Sequence, residues 1–341
     1  MSMLSNRIPL LAAASQWIGG ALFTLFLSAT VANADEDTKP IDVLVVVGAA
    51  GEQEFGTAFS AWADVWQSTC DRANLNLLII GPDKQEVAHR DQLHSKIESI
   101  ASVESIRPLW LILIGHGTWD GASADFNLVG PDVSAKELGD WIAAIKRPLL
   151  IANCTSSSGP FINRLSGPNR VIVTATKSGT EKNYARFGQY FAAAFNSVGA
   201  DLDHDDEVSM REAFLKACAD ADLFYKEQGR LATEHALLDD NNDKKGSSYA
   251  LVRGRAKSKG DGKIDGDLAS RFSIPVGDNS IQLTDEQLTT RNELESQLRD
   301  LQTQHAQDDP AVLREKALPV LIELAKLYAP DQSPADESVA E

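Results

Sequence analysis

Residues 109–117 read LWLILIGHG, and this segment carries the clearest indication of the fold class. Its six consecutive apolar residues are typical of a strand that is buried on both faces of a parallel sheet. The strand runs directly into His116, which stands between two glycines. Ligands and chemistry usually lie at the carboxyl ends of the strands in an α/β sheet. His116 is therefore a candidate functional residue.

Short apolar runs also occur before and after this strand in the sequence. Four further short apolar runs predict strands at 41–47, 75–80, 149–152 and 171–175. Helix-like segments between and after them lie at 55–73, 84–103, 134–146, 161–165, 181–198 and 210–228. Strands that alternate with helices predict an α/β fold, with a doubly wound, mostly parallel sheet flanked by helices.

The C-terminal third reads differently. An acidic region rich in glycine and asparagine follows the last of these helices, and we expect loops there up to about residue 266. Two helix-like segments then predict a C-terminal helical hairpin at 284–328, and residues 330–341 read as a polar tail. The α/β domain itself is predicted to span residues 41–270.

The first 34 residues resemble a secretory signal peptide. They carry a single charge, Arg7, then an apolar run, and they end in Ala32-Asn33-Ala34. The alternative is an uncleaved membrane anchor, because the apolar run approaches the length of a membrane span. Cleavage is favoured, since glycines interrupt the run and acidic residues follow it. The chain is thus predicted to be exported, periplasmic or secreted, with no membrane partner after cleavage.

The charge and the cysteine content narrow the function classes. The formal net charge of −17 argues against nucleic acid and anionic membranes as partners. Three cysteines are too few for a disulfide framework, and at most one pair can form. Cys70 and Cys218 lie within helical patterns among apolar neighbours, which predicts that both belong to the core.

Cys154 is placed like His116, because it follows the apolar run at 149–152. If the two strands are neighbours, both residues emerge at the same edge of the sheet. A thiol and an imidazole that meet there can perform nucleophilic catalysis, and Gly117 would let backbone N–H groups approach an oxyanion. The alternative is that Cys154 is a small core residue and that His116 is structural.

These residues carry a resemblance to a known family. An apolar strand followed by His-Gly, and a second ending in Ala-x-Cys, resembles the caspase-like cysteine peptidases of clan CD. Segment 171–195 is most similar to the legumain family, C13, and the resemblance covers about residues 41–240. It implies that His116 is the catalytic histidine and Cys154 the nucleophile. It also implies an oxyanion hole formed by Gly117 and Cys154, and places Glu181 near the substrate pocket.

Some features depart from the family or have a second interpretation. Legumains usually have an acidic residue and alanine before the cysteine, whereas this chain has Ala152-Asn153. The loop after the first strand lacks the arginine of the specificity pocket, which leaves the preferred substrate residue open. Glu181 equally fits a helix-capping box with Ser178.

Two functions follow from this sequence. The first is an exported legumain-like cysteine peptidase that hydrolyses or transfers peptide bonds of a peptide or protein substrate. The alternative is a non-catalytic, calcium-dependent secreted binding protein of the same fold. A serine hydrolase that uses Ser156 or Ser157 is a third, weaker interpretation, because no G-x-S-x-G motif is present.

Residues 201–212 read DLDHDDEVSMRE and match the spacing of an EF-hand calcium loop. The predicted ligands are Asp201, Asp203, Asp205, Glu207 through its carbonyl, and Glu212, with Ser209 at the ninth position. Asp206 replaces the usual glycine of position six. The alternative is a capped helix start, since Ser209 and Glu212 also form a capping box. Segment 237–246 is a weaker candidate, for which a solvated turn is favoured.

Overall fold

A computed structural model describes residues 40–81, 87–254, 264–276, 283–305 and 308–328. The predicted signal peptide and the predicted polar tail lie outside these ranges. Within them, no helix combines the length and the apolar character that crossing a membrane requires.

The strands and helices of the described residues follow the predicted alternation over most of the chain. The strands are β1 (Val43–Val47), β2 (Leu77–Ile80), β3 (Leu109–Ile114), β4 (Gly117–Trp119), β5 (Ala124–Phe126), β6 (Val133–Ser134), β7 (Leu149–Asn153), β8 (Arg170–Thr174), β9 (Glu207–Ser209), β10 (Leu237–Asp239), β11 (Ser247–Ser248) and β12 (Ser273–Pro275). The helices are α1 (Gln53–Ala73), α2 (His89–Ser102), α3 (Ala135–Trp141), α4 (Ile162–Leu165), α5 (Phe187–Ala194), α6 (Met210–Glu227), α7 (Tyr249–Val252), α8 (Asp285–Gln304) and α9 (Pro310–Leu327).

Seven strands form the central sheet in the order β11-β10-β8-β7-β3-β1-β2. The five strands from β8 to β2 are parallel, and β10 and β11 extend the sheet in antiparallel fashion. The chain therefore winds outward from β1 in both directions, which confirms the predicted doubly wound, mostly parallel sheet. We call the edge where the parallel strands end the carboxyl edge.

Helices cover both faces of this sheet, as the unbroken apolar strands require. Alternate residues of β3 point to opposite layers: Trp110, Ile112 and Ile114 to one, and Leu109, Leu111 and Leu113 to the other. The first layer is closed by α1, α5 and α6, and the second by α2, α3 and α4. Two small antiparallel sheets, β4-β5-β6 and β9-β12, lie outside the central sheet. The two C-terminal helices, α8 and α9, contact each other.

Two expectations about local structure are wrong. The region up to about residue 266 is not all loop, since β10, β11 and α7 lie in it. These elements are too short to show a period, and pairing with β8 supplies hydrogen bonds to β10. The helix predicted to begin at Glu181 begins at Phe187 instead. The carboxylate of Glu234 caps the first N–H groups of this helix. The start of α5 is therefore set by Glu234 and not by the sequence around Glu181.

Candidate active site

His116 follows β3 at the carboxyl edge, where its imidazole is half buried. The ring packs edge-on against Phe55 and Phe59 of α1, with ring centroids 4.8 and 5.1 Å away. Nε2 lies 3.2 Å from the carbonyl oxygen of Ala50, which follows β1. A carbonyl only accepts, so Nε2 carries the proton and Nδ1 of the neutral ring remains a base. Burial lowers the pKa of His116 and favours this neutral form.

Cys154 emerges at the same edge as His116. Strands β3 and β7 are adjacent and parallel, with Leu113 paired to Asn153. The Cys154 N–H donates to the Leu113 carbonyl at 2.9 Å and so continues the sheet ladder. This N–H already has an acceptor within the sheet and is not available to an oxyanion. The expectation that Cys154 contributes to an oxyanion hole is therefore wrong.

The thiol of Cys154 belongs to the core. The residue is 1 % exposed and lies in the layer closed by α1 and α5. It packs so closely on α5 that a Cβ added at Gly188 would come within 2.6 Å of Cys154 Cβ. Burial, with a smaller effect from the charge of Glu234, raises the pKa of the thiol. A buried, protonated thiol is a poor nucleophile, so these facts weigh against the predicted role of Cys154.

The other two cysteines form no disulfide bond. Cys70 is buried and Cys218 half buried, and both are free thiols like Cys154. Cys70 packs within the same core layer, and Cys218 packs against it. The pairing that the sequence left open is therefore not made in this structure.

A turn of four hydroxyl residues, 155–158, follows Cys154. Ser157 has a φ of 55°, in the left-handed region that tightens the turn. Three of the hydroxyls fix the turn by bonding elsewhere: Thr155 to Asn153 Oδ1 at 2.7 Å, Ser157 to the Gly179 carbonyl at 3.0 Å, and Ser158 to Thr176 Oγ1 at 3.1 Å. The turn is thus held on the carboxyl edge by β7 and by the loop after β8.

The fourth hydroxyl, that of Ser156, faces the loop that carries His116. Its Oγ accepts from the N–H of Gly117 at 3.2 Å and can donate to the Gly117 carbonyl at 3.1 Å. A Cβ added at Gly117 would lie 2.3 Å from the Ser156 carbonyl oxygen, so only glycine allows this approach. Among the described residues, the Ser156 N–H has no hydrogen-bond partner. Ser156 is 4 % exposed, and its hydroxyl lies on the backbone of Gly117, the residue that follows His116.

Glu181 lies beside the same turn, outside any helix. Its carbonyl accepts from the Ser157 N–H at 2.9 Å. Its carboxylate lies 2.6 Å from His235 Nδ1 and accepts from the Lys177 N–H at 2.9 Å. The alternative of a helix-capping box with Ser178 is wrong, because no helix starts there. Glu181 thus lies close to the turn, and its carboxylate is hydrogen-bonded to neighbouring residues.

The acidic loop gathers three of its five predicted ligands. Carboxylate oxygens of Asp201, Asp203 and Asp205 all lie within 4.8 Å of one another. Burial is the main cause that raises the pKa of Asp205, to about 7, and neighbouring carboxylates add to it. Asp206 adopts a φ of 64°, the left-handed conformation for which glycine is usual at position six.

The two glutamates of this loop have other partners. The Glu212 carboxylate accepts from the N–H groups of Ser209 and Leu202, each at 2.8 Å. With Ser209 it forms the capping box of α6. The Glu207 carboxylate bonds to Ser273 Oγ, while its backbone forms β9. The capped helix start is therefore present, whereas calcium binding by this segment stays a prediction.

Comparison with known proteins leaves the family open. No family model and no curated relative matches the chain. Solved structures similar to it include the Drosophila initiator caspase Dronc, with 13 % identity over 62 % of this chain and 84 % of that chain, at a TM-score of 0.40. Another is caspase-1 from Spodoptera frugiperda, with 10 % identity over 59 % and 87 %, at 0.38. Likeness at this level carries no information on chemistry, and membership of the legumain family stays a prediction.

Proposed function

We propose that this chain hydrolyses or transfers peptide bonds at the carboxyl edge, with Ser156 rather than Cys154 as its nucleophile. The observation that carries the proposal is the contact between Ser156 Oγ and the Gly117 N–H at 3.2 Å, next to His116. The thiol predicted for this role points into the core. The predicted cysteine peptidase thus becomes a serine-dependent one with the same histidine.

The chemistry assigns one role to each group. Nδ1 of His116 accepts the Ser156 proton while Oγ bonds to the substrate carbonyl carbon. The C–N bond then breaks, and His116 returns the proton to the leaving amine. Water attacks the resulting ester in hydrolysis, and a second amine attacks it in transfer.

Two N–H groups can stabilise the oxyanion that forms. When Ser156 Oγ moves to the substrate, it releases the N–H of Gly117 to a new acceptor. The N–H of Ser156, which has no hydrogen-bond partner among the described residues, is a second candidate donor. Paired backbone donors of this kind commonly supply the largest single contribution to acyl transfer.

The substrate class follows from the resemblance to clan CD, and a peptide-cleavage assay tests it. Wild-type protein incubated with a mixed peptide library should release new amino termini, counted by mass spectrometry. Ser156→Ala should lose the activity by on the order of 10⁴-fold, and Cys154→Ala should keep it. Cleavage that survives in Ser156→Ala but disappears in Cys154→Ala would restore the cysteine mechanism.

A non-catalytic, secreted binding protein is the second candidate. It is supported by the Ser156 hydroxyl, which bonds to both the N–H and the carbonyl of Gly117 in this structure. Under this alternative, the wild type and all variants release no new termini, although peptides still bind.

Calcium at 201–212 and export belong to the same proposal. Three clustered carboxylates repel one another, and a bound cation would remove that repulsion.

Export rests on the sequence of residues 1–34. Amino-terminal sequencing of protein from its native host should begin after Ala34, and a chain that retains Met1 contradicts cleavage.

A further inference from the structure

The loop that follows β10 repeats the backbone of the predicted calcium loop at 201–212. In the calcium loop, the residues three and five positions after Asp201, His204 and Asp206, have φ values of 63° and 64°. In the second loop, the residues three and five positions after Asp239, Asn242 and Lys244, both have φ values of 64°. Left-handed residues other than glycine are uncommon, so the same two offsets indicate the same loop conformation.

The oxygens of the second loop occupy matching positions. Asp243 is the fifth residue, as Asp205 is in the first loop, and Oδ1 of each accepts from the N–H two residues later, at 2.8 and 2.9 Å. Asn241 takes the third position, where the first loop has Asp203. The set Asp239, Asn241, Asp243 thus offers side-chain oxygens at positions one, three and five.

An unsatisfied oxygen on a buried carboxylate points to a ligand in this loop. Asp239 is 1 % exposed, and its Oδ1 has no hydrogen-bond partner among the described residues. The Ser166 hydroxyl is near, yet its Oγ also lacks a partner there. The Asp243 N–H bonds to the Asp239 carboxylate as the Asp205 N–H bonds to Asp201, so this carboxylate faces its own loop. A buried anion with an unsatisfied oxygen is costly unless a cation meets it.

We propose that Asp239, Asn241 and Asp243 hold a second calcium ion, with the Lys245 carbonyl as a further oxygen at the seventh position. Three features set this site apart from a solvated turn: the repeated backbone, the matched oxygens and the unsatisfied Asp239. The proposal concerns cation binding alone and stands independently of the peptidase chemistry.

The spacing of acidic residues in this loop is less regular than in the first loop, and the structure gives the reason. Asp240 disturbs the spacing because it serves as a backbone cap, and its carboxylate accepts from the N–H groups of Gly266 and Ala269 at 3.0 and 2.9 Å. Lys244 and Lys245 add positive charge, and Ala250 stands at the twelfth position, where the first loop has Glu212. Fewer anionic ligands predict a weaker site than 201–212.

Equilibrium dialysis against radioactive calcium alone tests the proposal by counting ions per chain. Full-length mature protein should bind two ions at saturation. Asp239→Asn should bind one, Asp201→Asn/Asp203→Asn should bind one, and the combined variant none. Asp240→Asn is the matched control and should keep two, because its carboxylate caps backbone groups.

Two safeguards keep the outcome decisive. In EDTA, Asp239→Asn should melt at or above the wild-type temperature, since it removes an uncompensated buried charge. If that variant fails to fold, Asn241→Ala/Asp243→Asn replaces it, with the same expected loss of one ion. A wild type that binds no ion overturns the proposal, and so does a folded Asp239→Asn that binds as many ions as the wild type.

Discussion

Ser156 Oγ lies 3.2 Å from the N–H of Gly117, across the gap between the turn after β7 and the loop after β3. The contact joins a hydroxyl to the residue next to His116, at the edge where parallel sheets place their chemistry. Cys154, two residues earlier, is held by the core and the sheet ladder. The change from one candidate nucleophile to the other follows from this geometry.

Gly117→Ala should damage the site and the fold together. The new Cβ would lie 2.3 Å from the Ser156 carbonyl oxygen, which forces the two loops apart. Overpacking of this kind costs about 1–3 kcal/mol, and peptide cleavage should be lost. Gly199→Ala is a matched control, because its nearest neighbouring atom is 3.6 Å from the added Cβ. Chemical denaturation of both variants checks the prediction, and equal stabilities contradict it.

Cys154→Ala should cost little stability and leave activity intact. The substitution removes one buried sulfur atom, comparable to the loss of one methyl group, or about 1 kcal/mol. Urea unfolding measures the loss, and the peptide-library assay measures the activity. A retained fold with no activity would show that the thiol takes part in the reaction after all.

The pH dependence should report His116. Burial lowers its pKa from the usual 6.5, so its protonated, inactive form accumulates only below that value. The reaction rate with a serine-directed phosphonate should therefore rise with pH along a limb whose midpoint lies below 6.5, and then level off. A midpoint above that usual value would instead indicate a base other than a buried histidine.

Millimolar calcium should raise the melting temperature through the loop at 201–212. A ligand that binds only the folded state adds about 2.7 kcal/mol when its concentration is a hundredfold above Kd. Exported sites of this type usually have Kd values on the order of 10⁻⁴ to 10⁻³ M. Asp201→Ala/Asp203→Ala should lose most of the shift, measured by calorimetry in EDTA and in calcium. An undiminished shift in that variant contradicts binding at this loop.

The fold could be predicted because its central strands are strongly marked. The unbroken apolar runs of β1, β3 and β7 fix a buried parallel sheet, and the capping boxes at Ser134 and Thr284 mark helix starts that the structure contains. The antiparallel strands β10 and β11 could not be predicted in the same way. They are two or three residues long, and β8, with which β10 pairs, lies far away in sequence.

The sequence could predict where the candidate site lies on the sheet, but not how its side chains are arranged. The sequence places His116 and Cys154 at one edge, but it does not reveal which way a side chain turns after the strand ends. Alternation along β7 points Ala152 and Cys154 into the core, and only the turn at Ser157 brings the Ser156 hydroxyl to Gly117. The cap that Glu234 provides for α5 also depends on a contact between distant segments.

The most direct test is to map which residue a serine-directed fluorophosphonate modifies. The intact mass of the wild type should rise by one adduct, and peptide mapping should place it on Ser156. Cys154→Ala should be labelled equally, whereas Ser156→Ala should stay unlabelled and His116→Ala should react far more slowly. An adduct confined to any other residue, or a wild type that reacts only with thiol reagents at Cys154, would contradict the central claim.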